Sequence, residues 1–247
     1  MPLSNEELER YSRQLCIPGF GEAGQERLRA ARVAIVGLGG LGSAVMHYLA
    51  GAGVGELGLA DTGPVELSNL HRQFAYSSAD VGALKTERAA ARARALNPAV
   101  KVSAREGWLD EGSLPGFLAG YDYVADCSDN FRTRAAVNKA CVGLGRPCAF
   151  GAVFQLEGQV SVFAPGGPCL ECLVPGAGGL EDRRRGENGV AGPAVGAVAA
   201  LQASELLKLM VGLPALAGRM LILDLEAPGF HVAEIRKREG CPVCGGR

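Results

Sequence analysis

The chain has 247 residues, 48% of them hydrophobic and 21% charged, and a mean hydropathy of +0.13. That length and apolar content suit one large α/β domain able to bury a sizeable core. Its 25 basic and 26 acidic side chains leave a formal net charge of -1, which provides no positive field to attract nucleic acid.

The opening segment, MPLSNEELERYSRQL, is polar and acidic. It has neither the apolar core of a signal peptide nor the basic character of a transit peptide, so a cytoplasmic protein is expected. A helix is expected over residues 4–16, with its acids early. Pro18-Gly19-Phe20-Gly21 then breaks the chain, and residues 25–31 form a second helix leading into the first strand.

Residues 33–36 read as a short buried strand. A turn holding Gly37, Gly39, Gly40 and Gly42 follows, then a helix over 43–52 and a second strand over 55–60 that ends on Asp61. This is a strand–turn–helix–strand unit for a nucleotide. The glycines let backbone approach phosphate, the helix start offers free N–H groups, and the acid after the second strand suits ribose hydroxyls.

Further helices are expected at 85–96, stopped by Asn97-Pro98, and at 111–119. Strands are expected at 100–105 and 121–126. The second of these runs into Asp126-Cys127-Ser128-Asp129-Asn130, followed by a helix to about residue 143 and a strand over 147–153. The alternation predicts a Rossmann-like, mainly parallel sheet flanked by helices. After Gly151 the pattern changes. A strand over 158–164 has no helix before it, so antiparallel strands should continue the sheet.

Residues 174–188 are glycine-rich and charged and read as a mobile loop. Its Arg183-Arg184-Arg185 run lies beside Glu181, Asp182 and Glu187 and reads as a solvated face. Pro193 opens a helix reaching residue 211. Gln202, Ser204, Glu205 and Lys208 within it favour a buried helix over a membrane span. Strands at 220–225 and 231–236 complete the pattern. The chain is thus expected to be a single domain: a helical arm over 1–31, a nucleotide-binding part over 32–153 and a C-terminal lobe over 154–247.

Four of the eight cysteines form two C-x-x-C pairs, Cys169 with Cys172 and Cys241 with Cys244. Two such knuckles can supply four thiolates to one structural zinc ion in the C-terminal third. The competing reading is a redox pair. Cys16, Cys127, Cys141 and Cys148 are scattered and read as small inert thiols, with Cys16 alone near the surface.

The segment Ser68-Asn69-Leu70-His71-Arg72-Gln73 closely resembles the ubiquitin-activating-enzyme superfamily, nearest to its bacterial adenylyltransferases of sulfur-carrier proteins (the MoeB/ThiF/HesA type). The likeness covers nearly the whole chain. It includes Arg10-Tyr11-Ser12-Arg13-Gln14, the glycine loop, Asp61, Val81-Gly82 with Lys85, Asp126 to Asn130, and both cysteine pairs.

That resemblance implies adenylation of the C-terminal Gly-Gly carboxylate of a ubiquitin-like sulfur-carrier protein, with release of pyrophosphate. ATP would lie on Gly37, Gly39, Gly40, Gly42, Asp61, Ser68, Asn69, Arg72, Gln73, Lys85, Asp129 and Asn130. Arg13, Arg72, Lys85 and Asp129 would be catalytic, Asp129 by binding Mg²⁺. Arg13 would reach the site of the neighbouring subunit of a homodimer. Sulfur would come from a separate donor protein, since no rhodanese-like domain follows, and neither nucleic acid nor membrane is an expected partner. Molybdopterin, thiamine and tRNA-thiolation pathways all use such carriers. His71 and His47 would be bystanders. Several relatives carry a cysteine where this chain has a position near Arg185, so activation by adenylation alone is expected.

Competing functions are an NAD-dependent oxidoreductase, adenylation of a small molecule or tRNA base, and a non-catalytic scaffold. The first leaves Ser68 to Gln73, Lys85 and Asp129 without a role. The paired C-x-x-C motifs argue against the tRNA-modifying dehydratase branch, and the full set of ATP-site residues argues against the scaffold.

Overall fold

The computed structural model describes residues 2–107, 109–181, 189–227 and 229–245. The arginine run at 183–185 lies outside the described residues, as does most of the charged half of the loop that contains it. The chain opens with α1 (Asn5–Arg10), α2 (Ser12–Leu15) and α3 (Gly21–Ala30). Ser4 and Glu7 cap α1 reciprocally, side chain to backbone N–H in both directions. The single helix expected over 4–16 is interrupted at Tyr11, which leaves helical geometry at φ -100°, ψ 10°. Its ring is buried, and its hydroxyl accepts a hydrogen bond from Asn97 at 2.8 Å. Anchoring that side chain fixes the arm against the body at the expense of helix continuity.

The body follows as β1 (Arg32–Val36), α4 (Gly40–Gly51), β2 (Glu56–Asp61), α5 (Lys85–Leu96), β3 (Lys101–Glu106), α6 (Leu114–Leu118), β4 (Tyr123–Asp126), α7 (Phe131–Leu144) and β5 (Cys148–Phe154). The C-terminal third holds β6 (Glu157–Phe163), α8 (Leu170–Leu173), α9 (Gly192–Val211), β7 (Arg219–Asp224) and β8 (Gly229–Glu234). One eight-stranded sheet runs β3-β2-β1-β4-β5-β6-β7-β8. The first five strands are parallel and the last three antiparallel, as the sequence pattern predicts.

Strand order reverses between β1 and β4. This is the switch point at which open α/β sheets form a crevice beyond the carboxyl ends of their strands. β1 and β2 are almost continuously buried because helices cover both faces. One core cluster joins α4, α5 and α9 to the sheet, and a second joins α6, α7 and α8 to the other face. β8 closes the sheet as an exposed edge.

The starts of three helices differ from the expected ones: α3 begins at Gly21 where 25 is expected, α6 begins at Leu114 where 111 is expected, and α4 moves as well. α4 starts at Gly40 where 43 is expected, because the last glycines of the turn form its first helical turn. The short helix α8 was not foreseen; it is the single turn between Cys169 and Cys172. α9 is long and apolar enough to cross a bilayer, but it packs on α4, β5 and β6 as a core helix.

Gln202 on α9 explains why a fully buried amide sits in that helix. Its Nε2 donates to the carbonyl oxygens of Asp126 and Ala149, each at 2.9 Å, tying α9 to β4 and β5. Gln202→Leu removes both hydrogen bonds and should cost about 1–3 kcal/mol of stability. The measurement is the urea midpoint at unchanged slope; a midpoint equal to wild type would contradict the assigned role.

Candidate active site

The crevice begins where β1 ends. Gly37 takes φ +89°, and its N–H donates to Ala60 at 2.9 Å. A Cβ at Gly37 would stand 2.7 Å from the carbonyl oxygen of Cys127, so β1 and the end of β4 meet backbone to backbone. A Cβ at Gly42 would collide with the carbonyl of Gly37, and one at Gly40 would lie 2.6 Å from Val195 of α9. The loop is therefore closed on three sides by backbone and core. Its open side is the N-terminus of α4, whose first N–H groups have no intrahelical partner.

Asp61 ends β2 beside this loop. Its carboxylate accepts the N–H of Leu38 at 2.7 Å and of Gly63 at 2.9 Å, and it lies 4.0 Å from the ammonium of Lys85. Lys85 is the first residue of α5, held there by a backbone bond to Gly63 at 3.2 Å. Acid and lysine are each 14% exposed, so the pair faces the crevice with little competing water.

Residues 66–76 form the adjoining wall. Asn69 is buried and its side chain accepts from the N–H of Glu66 at 3.2 Å. Ser68 donates to Glu66 at 3.3 Å. Arg72 donates to the carbonyl of Ser68 at 3.1 Å and to Nε2 of His71 at 2.7 Å, so His71 orients the guanidinium. Gln73 is buried beside Gly39, and its side-chain oxygen has no hydrogen-bond partner among the described residues. The Tyr76 hydroxyl donates to the carbonyl of Leu38 at 2.9 Å; burial, with Asp61 and Asp80 adding to it, pushes that phenol far up.

The end of β4 supplies the third wall. Asp126 is buried, and its carboxylate accepts the N–H and hydroxyl of Ser128 at 3.1 and 2.6 Å. Burial raises its pKa against the pull of Arg134. Asp129 follows and is exposed. Asn130 caps α7 by accepting from Thr133 at 2.8 Å. Arg134 donates to the carbonyl of Ser128 at 2.9 Å and lies 4.7 Å over the ring of Phe150. The sequence reading passed over Arg134. Its position one turn into the helix after Asn130, where a long side chain reaches back over the strand end, was the available signal.

The structure thus brings the four loop glycines, Asp61, Ser68, Asn69, Arg72, Gln73 and Lys85 to the ends of β1 and β2. Asp129 and Asn130 lie at the neighbouring end of β4, joined to the loop through the Gly37–Cys127 approach. Arg13 is exposed on α2, and no described contact links it to these groups.

Far from the glycine loop in sequence, Cys169, Cys172, Cys241 and Cys244 gather with all four sulfurs within 4.8 Å of one another, each buried. Cys169 and Cys241 sulfurs lie 3.8 Å apart and Cys172 and Cys244 sulfurs 3.4 Å apart. Four thiolates about a tetrahedral ion with bonds of about 2.3 Å would be separated by about 3.8 Å, so the cluster could hold a metal ion. The backbone N–H of Arg238 points at Cys172 at 3.4 Å. A Cβ at Gly245 would lie 2.5 Å from the carbonyl oxygen of Cys241, which explains glycine after the second knuckle.

Residues 11–243 match the ThiF family. The chain is 44% identical to the sulfur carrier protein adenylyltransferase of Thermus thermophilus, over 99% of this chain and 93% of that protein. It is also 44% identical to the adenylyltransferase and sulfurtransferase MOCS3 of Drosophila grimshawi, over 98% of this chain; it spans about half of that longer relative, 55% of its length. Among solved structures, E. coli MccB crystallised with ATP is 25% identical, with a TM-score of 0.82, over 98% of this chain and 75% of that one.

The crowding around Gly42 makes a test. Gly42→Ala forces its methyl into the Gly37 carbonyl and should lower stability by about 2 kcal/mol or more through overpacking, read as a fall in the thermal midpoint. Gly116→Ala, where nothing stands within 4 Å, is the control. Equal midpoints for both variants would contradict the close approach.

Proposed function

The chain belongs to the ThiF family, and we propose that it adenylates the C-terminal Gly-Gly carboxylate of a ubiquitin-like sulfur-carrier protein. Its whole length acts as one adenylating domain. The observation that carries the reading is the convergence of a glycine loop, the Asp61–Lys85 pair and the exposed Asp129 on one switch-point crevice. The similarity to a sulfur carrier protein adenylyltransferase over nearly all of both chains supports the choice of substrate.

In the reaction, a carboxylate oxygen of the carrier attacks the α-phosphorus of ATP and pyrophosphate departs. Two anions must approach, and the departing group gains charge, so fixed positive groups around the phosphates lower the barrier most. Asp61 accepts hydrogen bonds from the ribose hydroxyls, its carboxylate already oriented by the Leu38 and Gly63 N–H groups. Arg72 and Lys85 neutralise the phosphates, with Asn69, Ser68 and the free N–H groups of α4 beside them. The unpartnered oxygen of Gln73 accepts a donor from the bound nucleotide.

Asp129 fits a magnesium ligand, being an exposed carboxylate at a strand end that no described hydrogen bond engages; a hard cation of this kind is held by one or two carboxylates and keeps its waters. When bound, Mg²⁺ supplies charge neutralisation on the phosphates. Arg13, exposed on α2, serves the site of the second subunit in a homodimer.

No covalent enzyme–carrier step is needed. Cys127, Cys141 and Cys148 are buried, and burial pushes the Cys127 thiol well up, away from the reactive thiolate. Cys16 is exposed, and its thiol donates to the Ser12 carbonyl at 3.3 Å. A separate protein supplies sulfur to the acyl-adenylate, for molybdopterin, thiamine or tRNA thiolation.

Two outcomes are expected. The protein should catalyse carrier-dependent ATP–pyrophosphate exchange, and Asp129→Ala should slow it at least about a hundredfold, or roughly 2.7 kcal/mol of barrier. Wild-type exchange by that variant would remove the metal-ligand role. Elemental analysis of protein purified without chelator should find about one zinc per chain, lost in Cys241→Ser with a lowered thermal midpoint. A zinc-free wild-type protein would refute the structural zinc.

A further inference from the structure

The turn that presents Asp129 has few backbone groups left to chance. The N–H of Cys127 donates to Val36 at 2.9 Å, continuing the β1–β4 ladder. The carbonyl of Asp126 is taken by Gln202, and the carboxylate of Asp126 takes both donors of Ser128. Asn130, on the far side, is fixed as the cap of α7. Between these anchors one group sets the orientation of the peptide that leads into Asp129, the carbonyl of Ser128. Its described partner is Arg134, at 2.9 Å.

Arg134 is itself fixed. It rises from the first turn of α7, and its guanidinium carbon lies over the ring of Phe150 of β5, 4.7 Å from the ring centre. A planar fork on an aromatic face can hold a hydrogen bond in one direction with little rotamer freedom to lose. The same cation sits within electrostatic reach of buried Asp126.

We propose that Arg134 is a positioning residue for Asp129: through the Ser128 carbonyl it holds the Ser128–Asp129 peptide so that the Asp129 carboxylate points into the crevice. The proposal rests on the adenylation reading above. Removing the guanidinium frees a carbonyl and lets the peptide rotate, and displacement of a reacting group by about 1 Å can cost up to about a hundredfold in rate. Lysine at this position keeps the charge and can still donate to the carbonyl but lacks the planar fork.

The test is a pair of double-mutant cycles on exchange rate, with thermal midpoints measured for every variant. Arg134→Ala should slow exchange about tenfold or more alone, add less than about twofold to Asp129→Ala, and multiply with Lys85→Ala, as coupled and independent pairs respectively should. Arg134→Lys should recover much of the rate, and it carries the test if Arg134→Ala does not fold. Independently of turnover, paramagnetic resonance of Mn²⁺ with a non-hydrolysable ATP analogue should show weaker metal binding in Arg134→Ala than in wild type.

Losses that multiply with Asp129→Ala as fully as with Lys85→Ala, or unchanged Mn²⁺ binding, would overturn the proposal. Full activity of Asp129→Ala alone would instead remove the adenylation assignment of Asp129, and the positioning role with it. The single variant therefore separates the two failures.

Discussion

The crevice depends on one close approach. β1 and β4 are neighbours whose ends come so near that a methyl group at Gly37 would meet the Cys127 carbonyl. Parallel strands diverging at a switch point leave a crevice beyond their ends, and here the glycine backbone defines how narrow it is. Gly42 then folds the first turn of α4 directly over Gly37, and Gly40 seats that turn against Val195 of α9. The helix start is thereby aimed at the same point as the ends of β2 and β4. The ends of three strands far apart in sequence come together because the glycines allow this close approach.

Buried polar groups turn that geometry into a rigid frame. Gln202 ties the carbonyls of β4 and β5 to α9, Asp61 ties the loop to β2, and Asp126 closes the turn after β4. Each would be destabilising if left unpaired, and each has partners. Gln73 differs, with a buried oxygen left over beside Gly39. The cysteine cluster lies apart from this frame and anchors the chain's last knuckle to α8. Val142 of α7 packs against it.

The parallel half of the fold was legible because its signals are local. β1 and β2 are uniform apolar runs bounded by glycine and aspartate, and Asn97 and Asn130 mark helix ends in the expected way. The antiparallel continuation was legible from the missing helix between β5 and β6. The arm was misread as one helix because Tyr11 is governed by Asn97 and Gly53, neither of which is near it in sequence. Arg134 was passed over for a similar reason. Its partners, the Ser128 carbonyl and the Phe150 ring, are united by the β4–β5 pairing and by no periodicity in the chain. The four cysteines were legible because their spacing is itself the chemical requirement. Arg13 stands apart: it is exposed on α2, and no described contact links it to the crevice.

The central claim is that the ends of β1, β2 and β4 form one nucleotide site. A crystal structure of this protein with a non-hydrolysable ATP analogue and Mg²⁺ tests it most directly. The account predicts ribose hydroxyls on Asp61, phosphates between the start of α4, Arg72 and Lys85, and the cation on Asp129. A nucleotide bound elsewhere, or bound in the crevice with its phosphates turned away from Arg72 and Lys85, would contradict it.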